Sequence, residues 1–115
     1  MDQDRTIDLR IERAVALIDT QAITTTTELR KLAADLNLSC SRFRHLFARS
    51  IGISPVRYLK SVRLAKAKLL MQSSQLSVKQ VMAAVGCSDL SHFVRDYKTT
   101  FGETPTESRR SPTQT

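Results

Sequence analysis

The sequence repeats itself at an interval of about fifty residues, and this repeat limits the possible folds more than any other feature. Two aromatic residues, a glycine and a proline recur in order: Phe43, Phe47, Gly52 and Pro55 match Phe93, Tyr97, Gly102 and Pro105. Upstream, an offset of forty-nine relates a second set: Leu32, Asn37, Leu38 and Ser39 match Val81, Gly86, Cys87 and Ser88. Each copy therefore predicts a short helix, a turn at Asn or Gly that gains one residue in the second copy, and a longer helix with one aromatic face.

Helical spacing of apolar residues and a shortage of turn residues predict an all-α chain. The 115 residues include three glycines and three prolines, and strict apolar–polar alternation is hardly seen, which argues against strands. The first copy supplies three predicted helices. They are a helix over about residues 5–20, a second from the capping box of Thr25 and Glu28 to Asn37, and a third capped by Ser39 or Ser41 and closed by Gly52.

A fourth helix is predicted from Pro55 to about Met71, and at 1.5 Å per residue it spans roughly 25 Å. Its predicted inward residues are Tyr58, Leu59, Val62, Ala65 and Leu69, and its predicted outward residues are Arg57, Lys60, Arg63 and Lys68. Three more helices follow. They are Val78–Val85 after the capping box of Ser77 and Gln80, a sixth helix capped by Ser88 or Asp89 and closed by Gly102, and a short helix from Pro105.

These elements predict two helix-turn-helix subdomains joined by a long connecting helix. The first subdomain covers residues 1–53, the connecting helix 54–72 and the second subdomain 73–110, followed by a disordered tail at 111–115. The repeat by itself leaves a second interpretation open, in which two helical hairpins pack together for stability only.

Charge and composition narrow the function. Eighteen Lys and Arg against eleven Asp and Glu give a net charge of +7 and a pI near 10.0, which favours a polyanionic partner. The chain is too short for a large catalytic α/β fold. It has no long apolar run and no signal-peptide pattern at its start, so we expect no membrane partner. Two cysteines make no disulfide framework and fit a reducing cytoplasm.

The face opposite the aromatic residues indicates which polyanion this is. At 100° per residue the outward side of the third helix carries Ser41 and His45, flanked by arginines at 42, 44 and 49. The outward side of the sixth helix carries Ser91, Arg95 and Lys98, with His92 on its flank. Arginine donates two hydrogen bonds to guanine, and histidine and serine also reach base edges in the major groove. One such face is commonly a solvated cationic surface, but two in a repeat favour DNA.

The residues also resemble the DNA-binding domain of AraC/XylS-type transcription regulators, over roughly residues 25–109. The second copy carries the more specific part of the pattern: Ser77-Val78, Val85-Gly86, Asp89, Ser91-His92-Phe93, Arg95, Tyr97-Lys98 and Phe101-Gly102-Glu103-Thr104-Pro105. The resemblance implies two helix-turn-helix units that bind successive major-groove segments on one face of a duplex. It also leaves open whether the chain is a standalone member, a remnant or a fragment of a larger regulator.

The resemblance assigns base reading to Ser41, Arg42, Arg44 and His45 in the first unit and to Ser91, His92 and Arg95 in the second. We expect phosphate contacts from Thr25, Arg49, Ser77, Lys79 and Lys98. The expected partner is double-stranded DNA, with RNA polymerase a candidate second partner. The expected state is a monomer in the cytoplasm, associated with the nucleoid, without cofactor or catalytic activity. Three packing positions depart from the family pattern: Met82, Cys87 and Ser108.

Other functions are less well supported. Cys40, His45, Cys87 and His92 lack the spacing of a zinc site, and surface serines beside histidines lack the pocket that a hydrolase needs. RNA binding is disfavoured because Phe43, Phe93 and Tyr97 are predicted to lie in the core rather than on a stacking surface. The strongest alternative is a non-catalytic protein-interaction module built on a degenerate DNA-binding fold.

Overall fold

The computed structural model describes residues 8–110, and within them all regular secondary structure is helical, which confirms the all-α fold class. Seven helices occur in this range: α1 Leu9–Asp19, α2 Thr26–Asp35, α3 Cys40–Ile51, α4 Pro55–Ser73, α5 Val78–Val85, α6 Leu90–Phe101 and α7 Pro105–Arg110. The chain forms two compact units whose boundary falls inside α4, between Val62 and Arg63. The predicted tail at 111–115 lies outside the described residues.

Helix α1 starts later than the sequence pattern predicted. Asp8 is its N-cap, with non-helical φ and ψ of −59° and 130°, and its side chain accepts a hydrogen bond from the Arg10 backbone N–H at 2.8 Å. The hydrogen-bonded Arg10 side chain lowers the pKa of Asp8 to about 2. Because a capping carboxylate satisfies a free N–H of the first turn, the helix begins at Leu9. Residues 5–7 lie outside the described part of the chain.

The two turns of the repeat have the same hydrogen bonds. Asn37 and Gly86 both adopt left-handed backbone conformations, with φ of 62° and 83°. In the first turn the Leu38 N–H donates to the Ala33 carbonyl at 2.9 Å, and in the second Cys87 donates to Met82 at 2.8 Å. Each bond reaches back five residues, as in a Schellman motif. The forty-nine-residue offset is therefore a structural correspondence and not a coincidence of composition.

The longer helices of the repeat, α3 and α6, correspond even more closely. Both have twelve residues, and both end at a glycine in the left-handed region, Gly52 and Gly102. Their N-caps are Ser39, which accepts from the backbone N–H of residue 42, and Asp89, which accepts from that of residue 92. Ser39 and Asp89 are each one of the two capping residues that the sequence left open. The aromatic pairs also match, with ring centroids 5.9 Å apart in α3 and 5.8 Å apart in α6.

Each unit has its own hydrophobic core. In the first unit α1, α2 and α3 bury residues around Leu59 of α4: Ile11, Ala14, Ile18, Leu29, Leu32, Ala33, Phe43 and Phe47. In the second unit α5 and α6 bury residues against the later part of α4: Leu64, Ala67, Met71, Val81, Met82, Val85, Phe93 and Tyr97. Met82, a departure from the family pattern, is 5% exposed and thus fills core space.

The prediction that Ala65 and Leu69 face inward on α4 is wrong. Both side chains are exposed, Leu69 by 56%. The buried residues of this part of the helix are instead Leu64, Ala67 and Met71. The prediction continued one apolar stripe along the whole helix, which requires a single core. Because the helix serves two cores, the stripe that packs in the first unit does not continue into the second.

Two residues of α4 that were predicted to face outward are also less exposed than expected, because the second core uses a different side of the helix. Arg63 and Lys68 are both half-buried. The ammonium group of Lys68 lies 4.6 Å from the centre of the Phe101 ring, close enough for a cation–π interaction. The aliphatic stems of such side chains can cover apolar surface while the charged ends stay near water.

Ser108, another departure from the family pattern, completes a buried chain of hydrogen bonds. The Tyr97 hydroxyl donates to Ser108 Oγ at 2.6 Å, and the Ser108 hydroxyl donates to Glu103 Oε2 at 2.5 Å. Tyr97 and Ser108 are both fully buried. Burial raises the pKa of Tyr97, which keeps the phenol in its neutral, donating form. A serine at this position therefore supplies the acceptor that a buried tyrosine needs.

Arg109 ties the last helix to the end of α4. Its guanidinium donates to the carbonyl oxygens of Met71 at 3.2 Å and Ser74 at 3.3 Å, and also to that of Leu76. Carbonyls at a helix C-terminus have no partner within the helix, and a cation there is electrostatically favourable. Arg109 thus fixes the connection between α4 and α5.

Replacing Ser108 by Ala should lower the free energy of unfolding by about 1–3 kcal/mol, because it leaves the Tyr97 hydroxyl buried without an acceptor. Urea denaturation followed by circular dichroism measures the change. The double variant Tyr97→Phe/Ser108→Ala removes both polar groups and should be more stable than Ser108→Ala. Equal stability of Ser108→Ala and the unmodified protein would show that the chain of hydrogen bonds contributes nothing.

Candidate nucleic-acid interface

Helix α3, the predicted reading helix of the first unit, separates its aromatic and polar residues onto opposite faces. Phe43 and Phe47 are 4% and 0% exposed. All four side chains assigned to base reading in this helix are exposed: Ser41, Arg42, Arg44 and His45. The first turn of α3 contains no acidic residue. The aromatic packing therefore leaves donors and a cationic surface facing outward at the start of this helix.

The second reading helix, α6, has the same separation. Phe93 and Tyr97 are 3% and 0% exposed, whereas Ser91, His92 and Arg95 are exposed. Within each unit, the residues that the sequence predicted to read bases thus lie together on one helix, with their side chains exposed. Their contact with bases remains a prediction.

The N-cap of α6 also orients one of the predicted reading side chains. Asp89 Oδ2 lies 3.0 Å from His92 Nδ1, while its other oxygen accepts from the His92 backbone N–H at 2.9 Å. The backbone hydrogen bond is the main cause of the lowered pKa of Asp89, and the His92 side chain adds to it. When Nδ1 donates to this carboxylate, Nε2 of a neutral imidazole can accept a hydrogen bond from the amino group of a base. A protonated imidazole would present a donor to purine N7 instead.

One predicted reading residue of the first unit, Arg44, also lines a cleft. This cleft lies between α2, α3 and the start of α4 and has a volume of about 300 Å³. Its walls are mainly apolar, and Arg30 and Arg44 are its charged residues. Arg44 is therefore the one predicted base-reading residue among the residues that line this cleft.

The phosphate contact predicted for Thr25 faces a competing carboxylate. The Thr25 hydroxyl accepts from the Glu28 backbone N–H at 3.1 Å, and Glu28 Oε1 accepts from the backbone N–H groups of Thr24 and Thr25 at 2.8 and 3.1 Å. These bonds form a capping box, and the backbone hydrogen bond from Thr24 is the largest cause of the lowered pKa of Glu28. The N–H groups of Thr24 and Thr25 are thus occupied by a carboxylate of the protein, whose negative charge also disfavours a phosphate at this helix start.

The second unit has the same capping box without the charge. Ser77 accepts from the Gln80 backbone N–H at 3.1 Å, and Gln80 Oε1 accepts from the Ser77 backbone N–H at 2.8 Å. Lys79, in the first turn of α5, is exposed. A neutral amide beside an exposed lysine leaves this helix start more favourable for a phosphate than that of α2.

The remaining predicted phosphate residues, Arg49 and Lys98, lie in the last turns of their helices. Both are exposed and lie on α3 and α6 respectively. Each is further along its helix than the residues assigned to base reading, Arg49 by four residues from His45 and Lys98 by three from Arg95. This order along the helix agrees with a backbone role, because the N-terminal part of a recognition helix meets the bases.

Sequence reasoning missed one acidic neighbour of the first reading helix. Asp8, the N-cap of α1, is held by the Arg10 guanidinium, and Arg42 adds a smaller electrostatic contribution that also lowers the pKa of Asp8. The two residues are 34 positions apart in the sequence, and no local pattern relates them. Only the packing of α1 in the first unit brings this carboxylate near the reading face.

Comparison with known proteins shows the family. A family model described as a helix-turn-helix domain matches residues 32–111. A solved structure of a probable AraC family transcriptional regulator from Rhodopseudomonas palustris is similar with a TM-score of 0.78 and 30% identity, over 90% of this chain and 96% of that one. The chain belongs to the AraC family of helix-turn-helix domains. Helices α3 and α6 are the longer helices of its two helix-turn-helix units.

Other relatives of this AraC-type domain are consistent with that family. The arabinose operon regulatory protein of Escherichia coli K12 is 30% identical over 103 residues, which are 90% of this chain and 35% of that protein. An AraC-type regulator structure from Chromobacterium violaceum has a TM-score of 0.77 and 28% identity, over 91% of this chain and 93% of that one. The chain thus spans about a third of the length of the curated relatives it matches.

Among residues 8–110, no three His, Cys, Asp or Glu side chains group together as metal ligands would. None of the helices in the same range is both long and apolar enough to cross a bilayer. Cys40 and Cys87 are free thiols, and burial raises the pKa of Cys87.

Replacing Glu28 by Gln should strengthen binding to every duplex by about threefold at low salt. A DNA phosphate at Thr25 would lie about 6 Å from the Glu28 carboxylate. Two such negative charges in water repel by roughly 0.7 kcal/mol, and the variant removes the charge of Glu28. Glutamine preserves the capping box, as Gln80 does in the second unit. Titration of fluorescent duplexes measures the affinity. Asp35→Asn, at the other end of the same helix, is the control, and an equal gain from both variants would refute a phosphate near Thr25.

Proposed function

We propose that the chain binds a specific site in double-stranded DNA and regulates transcription, by inserting α3 and α6 into successive major-groove segments. The observation that carries this proposal is the repeated exposure of polar and cationic residues opposite a buried aromatic pair. The same arrangement appears in both units, with the same caps and turns. Membership of the AraC family supports the proposal independently.

In this proposal the reading residues and the phosphate residues have different effects. Ser41, Arg42, Arg44 and His45 read bases in one segment, and Ser91, His92 and Arg95 read bases in the next. The phosphates of the DNA backbone are bound by the side chains of Thr25, Arg49, Ser77, Lys79 and Lys98. Base contacts determine which sequence is bound, whereas phosphate contacts position the protein and add affinity that depends on salt.

The proposed partner is a single duplex site without two-fold symmetry, bound by one copy of the chain. Two reading helices already occur in one chain, so that no second copy is needed to recognise two groove segments. RNA polymerase is the proposed second partner once the site is occupied. We expect a cytoplasmic, nucleoid-associated protein that acts without a cofactor or a catalytic step, because its proposed activity is recognition of chromosomal DNA.

A protein-interaction module on the same fold is the alternative. Such a protein would keep the helices and the cores, and any residual duplex binding would be weak and blind to sequence. Selection from a random duplex pool, followed by titration at several salt concentrations, separates the two functions. A reproducible motif that survives competitor DNA supports the proposal, and its absence favours the alternative.

Replacing Arg95 by Ala should weaken binding to the specific site by about 1–3 kcal/mol and relax preference at one or two base pairs, because a guanidinium can bond guanine at two atoms. The change on unrelated duplex should be smaller. Titration of the variant on both duplexes, with repeated motif selection, measures the effect. An equal loss of affinity for both duplexes, with an unchanged motif, would mean that Arg95 contacts the DNA backbone instead of a base.

Replacing Lys98 or Arg49 by Ala should weaken binding to all duplexes about equally. Each variant loses one phosphate contact, so that the slope of log K against log salt should fall by about 0.9. These two variants are the matched controls for Arg95→Ala, since each also removes one positive charge from a reading helix. A changed motif in either would mean that its side chain reads a base.

The expected stoichiometry is one chain on one site. Sedimentation of the free protein and of its complex with a single-site duplex measures this directly. A palindromic motif, or a stable dimer of the free chain, would contradict the proposal because two copies would then share one recognition event.

A further inference from the structure

The first residue of α6, Leu90, is an apolar residue that is nearly half exposed. It is 45% exposed, whereas Phe93, three positions later, is 3% exposed. Within residues 8–110 the other exposed large apolar side chains are Leu9, Ile53, Val56 and Leu69. None of those four belongs to α3 or α6, so that Leu90 is exposed on a reading helix.

The neighbours of Leu90 in the sequence are polar. It follows the N-cap Asp89 and precedes Ser91 and His92, whose side chains are exposed. A leucine so placed keeps apolar surface in water, and burying that surface against another apolar group is favourable. A polar residue in the first turn would avoid this cost.

The major groove offers one common apolar group. Base edges present hydrogen-bond donors and acceptors, with the exception of the C5-methyl group of thymine. Leucine can neither donate nor accept a hydrogen bond. It therefore recognises this methyl group or nothing specific on a base edge. In addition, the first residues of a recognition helix are those that meet the base edges.

We infer that Leu90 is a specificity-determining residue that packs on the C5-methyl group of a thymine beside the bases read by Ser91 and Arg95. The inference rests on the proposed function, since it needs α6 in a major groove. Cationic residues in the same helix, Arg95 and Lys98, are exposed and suit the negative charge of a duplex. These charges favour a polyanion such as DNA over a neutral or cationic surface as the occupant of the helix end.

The repeat offers a comparison within the chain. Cys40 occupies the equivalent first position of α3 and is also exposed. Its side chain ends at a sulfur atom two bonds from Cα, whereas that of Leu90 carries two terminal methyl groups. The shorter side chain covers less apolar surface, so that we assign thymine selectivity to the second unit.

Replacement of thymine by deoxyuridine tests the inference, because it removes one methyl group and leaves every hydrogen-bonding atom in place. The site is first selected with the unmodified protein, and each thymine is then replaced in turn. One replacement should weaken binding by about fourfold, the value expected for a single buried methyl group. The Leu90→Ala variant should bind the thymine and deoxyuridine duplexes equally, which makes the two losses non-additive.

Leu69→Ala is the matched control. Leu69 is an exposed leucine of the same unit, on α4 instead of a reading helix. This variant should keep the full fourfold loss. Circular dichroism of Leu90→Ala should match that of the unmodified protein, and urea denaturation should show at most a small loss of stability, since Leu90 is 45% exposed.

The outcomes distinguish this inference from the proposed function. Failure to select any site would contradict the proposed function itself. A selected site with the same deoxyuridine penalty in Leu90→Ala and the unmodified protein would overturn the inference and leave the function intact. Unchanged DNA binding with weaker binding of purified RNA polymerase to the Leu90→Ala complex would also overturn it, and would assign Leu90 to a protein contact.

Discussion

The burial of an aromatic pair on one side of each reading helix determines the rest of the structure. Phe43 and Phe47 in α3, like Phe93 and Tyr97 in α6, are at most 4% exposed. An aromatic side chain buries at least about 150 Å², worth roughly 4 kcal/mol at 25 cal/mol per Å². No surface interaction of these helices approaches that value, so that the orientation of each helix is fixed by its core. The exposed reading face is a consequence of this packing.

The two units share a backbone design but differ in charge where a phosphate is expected. A glutamate closes the capping box of α2, and a glutamine closes that of α5. Under the proposed function, the second unit gains its backbone contacts more readily, and the first unit relies on the arginines of α3. Two units that are alike in hydrogen bonding and unlike in charge fit an asymmetric site better than a palindromic one.

Most of the fold follows from local rules that the sequence displays. Caps, left-handed turn residues and the proline starts of α4 and α7 fix the helix ends to within a few residues. Where two polar neighbours could both act as the cap, the choice depends on the core. Ser39 and Asp89 each precede the first buried aromatic residue by four positions, which is the spacing that brings the cap and the core face into agreement.

The inward face of α4 could not be predicted in this way. The spacing of apolar residues indicates which side of a helix is apolar. It does not indicate that two separate cores pack against different parts of the same helix. The exposed position of the reading residues was predictable, since it follows from helical geometry opposite the aromatic pair. Assignment of each to a base or a phosphate depends on the path of the duplex, which is not a property of the free chain. Those roles therefore remain predictions.

The repeat by itself would not give two stable units, and each unit completes its core with a different helix. In the first unit α1 supplies Ile11, Ala14 and Ile18, all fully buried, and the Tyr58 hydroxyl donates to Asp19 at 2.7 Å. This bond is the main reason that the pKa of Tyr58 rises to about 12.

In the second unit α7 supplies Ser108 for Tyr97 and Arg109 for the carbonyls at the end of α4. A pair of short helices buries only one side of each, and a third element must cover the remaining apolar surface. Helix α1 lies outside the repeat, whereas α7 begins at Pro105, the repeat's match of Pro55. The repeat thus preserves the turns and the orientation of α3 and α6, and α1 and α7 each add buried contacts that are particular to their own unit.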